Sequence, residues 1–282
     1  SILSIFFLPL RSMEFRTIVN ILRPTFELEP CERILFVGSC FADNIGKRFE
    51  EEKFRAMVNP FGVMYNPVSV LHTVKKVANH TFDTAVFTLG TNHVYVERAT
   101  GEIVDNCQKR PQREFEEREL TVEECADALR EAITLLHQAN PKVNIIITVS
   151  PIRYAKYGYH GSQLSKAVLL LAADKVIKEE GERVYYFPAY EIVNDELRDY
   201  RFYKADMLHP NEQAVEYIWE QLVATCFSAE AKQFLEEWRP IKEALAHRPF
   251  HPEAAAYQDF IKKTKEKAKM LELKYPNIEL NL

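Results

Sequence analysis

A chain of 282 residues, 47% hydrophobic and 27% charged with no low-complexity run, is long enough to bury a sizeable core and too evenly mixed to be disordered. Its formal net charge of −5, with both signs interspersed, argues against nucleic acid or an anionic membrane as the main partner, because either needs a concentrated basic patch. Five cysteines (Cys31, Cys40, Cys107, Cys125, Cys226) without a C-x-x-C pair argue against a disulfide framework or a zinc site and fit a reducing, cytoplasmic setting.

In chain order, residues 1–12 (SILSIFFLPLRS) come first. Their apolar run of about ten residues is too short to span a bilayer, and it lacks a charged n-region and an A-x-A cleavage site. Met13 then opens MEFRTIV, an ordinary start. The expectation is an over-long start, with the remnant of a signal segment, and hence export, as the alternative. The fold is read from residue 13 onward.

Strands are expected at Ile34–Val37, Arg55–Val58, Thr84–Leu89, Asn144–Val149 and Val184–Phe187. Several are apolar at nearly every position, as a parallel sheet covered on both faces requires. Between them lie helical signals. A helix is expected to begin near Asp43. Thr121 and Glu124 form a capping box before an apolar face of Val122, Cys125, Leu129, Ile133 and Leu136, which Asn140-Pro141 ends. A second helix runs from about Gln163 to Gly181, and a third starts at Pro210 with Val215, Ile218, Trp219 and Leu222 on one side. Beyond Ser228 only helical patterns appear. The alternation predicts a doubly wound, three-layer α/β/α fold on a five-stranded parallel sheet, over residues 13–227. A helical extension over 228–282 is expected to pack on it.

Ligands of such a sheet bind beyond the carboxyl ends of its strands. There stand Gly38, Ser39 and Cys40 after the first strand, 59-NPFG-62 after the second, 90-GTNH-93 after the third, 150-SPIRY-154 after the fourth, and Asp206 and His209 after the last. These are the parts of a serine hydrolase. A serine needs a base to take its proton, and that base needs a carboxylate to fix its tautomer. Ser39 is the candidate nucleophile, His209 the base and Asp206 its orienting acid. The oxyanion needs preorganised donors, and the backbone N–H groups of Ser39 and Gly62 with the Asn92 amide are the candidates. Ser39 has a plainer alternative as a helix cap, and Cys40 is read as a small packed hydrophobe beside it. Tyr65, His93, Arg153, Tyr154 and His160 stand where a substrate would lie.

The stretch 38-GSCFA-42 resembles the namesake motif of the GSCFA family, a branch of the SGNH (GDSL-like) hydrolases. The resemblance extends over about Met13 to Tyr275 through NPFGVMYNP (59–67), FTLGT (87–91), VSPIR (149–153), DELRDYRFY (195–203) and DMLHP (206–210). It implies a sheet in flavodoxin-like order 2-1-3-4-5, Ser39 as nucleophile, Gly62 as the second-block glycine, Asn92 as the third-block asparagine and Asp206–His209 as the D-x-x-H block. Two positions depart from the pattern. His93 replaces an Asp in the third block, and Gly38 precedes the nucleophile where ordinary members carry Asp. The resemblance implies ester hydrolysis without a metal or other cofactor, with an acylated carbohydrate, lipid or small-molecule ester as substrate. An O-acyltransferase with the same triad, or a non-catalytic ligand-binding α/β module, is the alternative. No stable membrane insertion is expected, and the sequence leaves oligomeric state open.

Overall fold

The computed structural model describes residues 15–278 and Leu280. The apolar segment at 1–12 lies outside the described residues. The chain runs β1 (Arg33–Gly38), α1 (Cys40–Glu51), β2 (Arg55–Val58), α2 (Pro67–Lys76) and β3 (Thr84–Leu89), then through a small insertion of β4 (His93–Glu97), β5 (Ile103–Val104) and β6 (Phe115–Glu119). It continues as α3 (Val122–Ala139), β7 (Asn144–Val149), α4 (Gly158–Glu180), β8 (Val184–Tyr186) and α5 (Ala189–Glu191), the last passing into a π-helical turn over Ile192–Leu197. The helices α6 (Glu212–Cys226), α7 (Ala229–Ala246) and α8 (Ala255–Lys274) complete it.

The main sheet is parallel throughout, in the order β2-β1-β3-β7-β8. These are the five expected strands in the expected order. Alternate residues point to opposite faces of a strand, so Leu35, Val37, Phe87, Ile145 and Ile147 join one core cluster with α2, α3 and α4. Ile34, Phe36, Val86 and Ile146 join another with α1 and α6. The second cluster centres on Phe49 of α1, fully buried, whose ring meets Phe36, Phe54 and Trp219 at 5.0 Å and Phe227 at 5.6 Å. Truncating such a residue to Ala costs about 3–5 kcal/mol. The same cluster continues into α7 and α8 through Phe234, Trp238, Ile241, Leu271 and Tyr275. Among the described residues no helix is long and apolar enough to cross a membrane.

Three helix starts differ from the sequence reading. The first helix starts at Cys40 rather than near Asp43, because Ser39 caps it by accepting from Phe41 N. α4 starts at Gly158, five residues before Gln163. α6 starts at Glu212 with Asn211 as its cap, so Pro210 precedes the helix rather than opening it. The antiparallel insertion, ordered β5-β4-β6, was not expected at all. β6 reads FEERE and buries only Phe115, so it carries no apolar alternation to announce it.

Candidate active site

The carboxyl ends of β1, β3 and β7 open on a cleft of about 240 Å³ lined by Ser39, Cys40, Tyr65, Gly90, Ser150, Ile152, Arg153, Tyr154, Ala155, Lys156, Leu208 and His209. Its volume falls below the roughly 300–1,000 Å³ of sites for drug-sized ligands.

Ser39 sits where β1 turns sharply into α1. Gly38 takes φ +151°, and the Ser39 backbone N–H donates to Thr88 O at 3.0 Å, which presses the turn against β3. The Ser39 hydroxyl is 3.2 Å from Thr88 Oγ1 and accepts from Phe41 N at 3.2 Å. It is 2% exposed, yet it lies on the cleft wall. Cys40 stands beside it with Sγ 3.9 Å from Tyr65 Oη.

His209 reaches the same wall from a loop that the sequence builds locally. Asp206 Oδ1 accepts from Leu208 N at 2.9 Å and His209 N at 3.0 Å, and Met207 turns the chain with φ +58°. That closed turn brings Asp206 Oδ2 to 2.6 Å from His209 Nδ1. The two backbone N–H groups, His209 first, and then the imidazole pull the Asp206 carboxyl down to about 2. With Nδ1–H donated to a carboxylate, the Nε2 lone pair is the one left to accept a proton. The segment after β7 anchors the loop. Arg153 N donates to Leu208 O at 3.1 Å and Arg153 Nη1 to Met207 O at 3.0 Å.

The expected oxyanion donors lie elsewhere or are occupied. Gly62 is exposed, donates its N–H to Asn59 O at 2.8 Å and does not line the cleft. Asn92 is 1% exposed and grips Leu120. Its Nδ2 donates to Leu120 O and its backbone carbonyl accepts from Leu120 N, both at 2.8 Å, which ties the end of the insertion to β3. The Ser39 N–H is held by Thr88. Cys40 N–H, at the first position of α1, meets no acceptor among the described residues.

Of the expected substrate contacts, Tyr65, Arg153 and Tyr154 line the cleft. His93 does not. Its ring stacks on Tyr157 at 3.6 Å, and burial lowers its imidazole below the ordinary value. His160 is exposed outside the wall.

Lys166 was missed. This α4 side chain is 3% exposed and places Nζ 2.7 Å from both Gly90 O and Ser150 O, the two carbonyls that follow the last β3–β7 pair, Leu89 with Val149. Both carbonyls belong to cleft residues. Burial without an anionic partner pulls the ammonium down to about 7. Its neighbour Ser165 accepts from Asn92 N at 2.9 Å. A signal did exist in the sequence. Lys166 stands at helical spacing with Leu169, Ala173 and Val176, on the buried stripe where a lysine needs a partner.

Comparison with known proteins adds a family. The model of the GSCFA family matches residues 33–85 and 78–222, and that of the GSCFA domain protein, C-terminal domain, matches 238–282. No curated protein matches the chain. Solved structures similar to it include an acetyl esterase mutant with acetate ion, at 12% identity over 73% of this chain and 99% of that one, TM-score 0.45. A carbohydrate esterase family 3 protein from Talaromyces cellulolyticus shows 11% identity over 73% and 99%, TM-score 0.41. A GDSL-like lipase from Bacteroides thetaiotaomicron shows 14% identity over 73% and 88%, TM-score 0.44.

Proposed function

The chain belongs to the GSCFA family, and on that premise we propose that it is a serine hydrolase of carboxylic esters, with Ser39 as nucleophile, His209 as base and Asp206 as the group that holds the imidazole. One observation carries the reading. Ser39 and His209, remote in the chain, wall one cleft, and His209 carries a carboxylate on Nδ1.

In the proposed cycle the Ser39 hydroxyl leaves Thr88 and Phe41 and attacks the ester carbonyl while His209 Nε2 takes its proton. Asp206 keeps Nδ1–H and stabilises the imidazolium without accepting the proton. The tetrahedral oxyanion is held at the N-terminus of α1, where Cys40 N–H is open and the helix dipole favours negative charge. His209 then protonates the leaving alcohol. Water, deprotonated by the same imidazole, hydrolyses the acyl-enzyme. The small cleft favours a short acyl group such as acetyl.

A fluorophosphonate probe tests this. The expected result is a covalent adduct located on Ser39 by peptide mass spectrometry, absent in Ser39→Ala and slower by roughly three orders of magnitude in His209→Ala. A folded wild-type protein that takes up no probe sinks the reading.

A further inference from the structure

Two cationic side chains, Lys156 and Arg153, stand on the cleft wall beside His209. Lys156 Nζ lies 2.8 Å from Glu117 Oε1. Arg153 has no carboxylate partner among the described residues, and no acidic side chain lines the cleft. Its guanidinium is not a loose surface charge. Nη1 donates to Met207 O, and the rings of Tyr159 and Tyr203 flank it with centroids at 4.3 and 5.5 Å. Flanking rings restrict the rotamers of the long side chain, and most of its five N–H donors remain open. On a chain with net charge −5, an immobilised and uncompensated cation at the mouth of a cleft makes a local positive field. The buried Lys166 nearby also lacks a carboxylate partner among the described residues and bonds only carbonyls.

We infer that Arg153 makes this cleft select esters that carry an anionic oxygen group, a carboxylate or a phosphate, on the acyl or the alcohol part. An Arg fork binds either group through two parallel charge-assisted hydrogen bonds, and a neutral ester leaves those donors unpaired. The inference rests on the hydrolase reading and adds the charge of the substrate to it.

The experiment measures kcat/KM for matched pairs of esters. Mono-p-nitrophenyl glutarate against p-nitrophenyl butyrate puts the charge on the acyl side. O-acetylglucuronate and O-acetylglucose 6-phosphate against O-acetylglucose put it on the alcohol side. In the wild type at least one charged ester is expected to exceed its neutral counterpart by about tenfold, with a margin that shrinks as salt is raised. The ratio is expected to fall to near one in Arg153→Gln and to stay partly intact in Arg153→Lys, which separates charge from the packing of the Met207 loop. Equal or better turnover of every neutral ester by the wild type overturns the inference while leaving the hydrolase standing, and so does a ratio that survives in Arg153→Gln. If no ester is turned over and Ser39 takes no probe, the hydrolase reading falls instead. Calorimetric titration of glucuronate and of inorganic phosphate then decides the anion site: saturable binding lost in Arg153→Gln supports it, and no binding overturns it.

Discussion

A Cβ atom on Gly38 would stand 2.2 Å from the carbonyl oxygen of Thr88 and 2.4 Å from its Oγ1. With φ at +151°, the position before Ser39 therefore admits glycine and nothing larger unless β1 and β3 separate. The Gly38 N–H is tied as well, donating to Asn59 Oδ1 at 2.9 Å. This accounts physically for the glycine at position 38 of this chain. The close approach holds Ser39 between Thr88 and the first turn of α1.

Gly38→Ala and Gly38→Asp are accordingly expected to lose about 1–3 kcal/mol or more of unfolding free energy. Probe labelling of Ser39 should drop with it. Urea denaturation beside labelling rates checks both, and wild-type values in Gly38→Asp would show that the turn has room after all.

Asp206→Asn separates orientation from loop structure. The amide oxygen can still accept from Leu208 N and His209 N, so the turn is expected to fold. An amide on Nδ1 no longer selects the required tautomer, and kcat should fall by about 10³–10⁴. Activity near that of the wild type would remove Asp206 from the mechanism.

The Asp206 carboxyl should titrate near 2, since the N–H groups of His209 and Leu208 and the imidazole all favour its ionised form. Its folded value lies below the unfolded one. Its stabilising contribution is therefore complete above the ordinary carboxylate range and lost as pH falls toward 2. Carbonyl-detected NMR titration reads this directly, and an inflection at the ordinary carboxylate value of about 3.9 contradicts it.

Lys166 makes the opposite prediction on the alkaline side. Its folded value of about 7 is below the unfolded value of about 10.4. Between the two, the unfolded chain binds a proton that the fold refuses, so the penalty is full below pH 7 and fades as pH rises. The wild type should gain on Lys166→Met between pH 7 and 10, by at most about 4 kcal/mol. At neutral pH the variant still leaves the carbonyls of Gly90 and Ser150 without their donor, at a cost of about 1–3 kcal/mol each. Urea melts at three pH values test it, and a pH-independent difference would show that Lys166 keeps its charge throughout.

The sheet was readable because its physics is local. Leu35, Phe36 and Val37, or Ile145, Ile146 and Ile147, are apolar on both faces, which only a doubly covered strand tolerates. Asp206 and His209 were readable for a similar reason, since a three-residue spacing within one turn puts both side chains within reach. The β4–β6 insertion escaped because β6 is almost wholly exposed and polar. Lys166 escaped although its place on an apolar helical stripe was visible, because the carbonyls that satisfy it come from β3 and β7.

By itself, then, the sequence determined the five strands, the family motif and the Asp206–His209 turn, all properties of short segments and their periodicity. Which donors face the cleft was decided only by the tertiary structure. Whether the N–H of Gly62, the amide of Asn92 or the N–H of Cys40 stays open depends on which acceptor the folded chain brings to each. Asn59, in the same local turn, takes the first, Leu120, distant by 28 residues, takes one N–H of the second, and nothing among the described residues takes the third. Hydrogen-bond partners distant in the chain, unlike hydrophobic period, leave no trace along it.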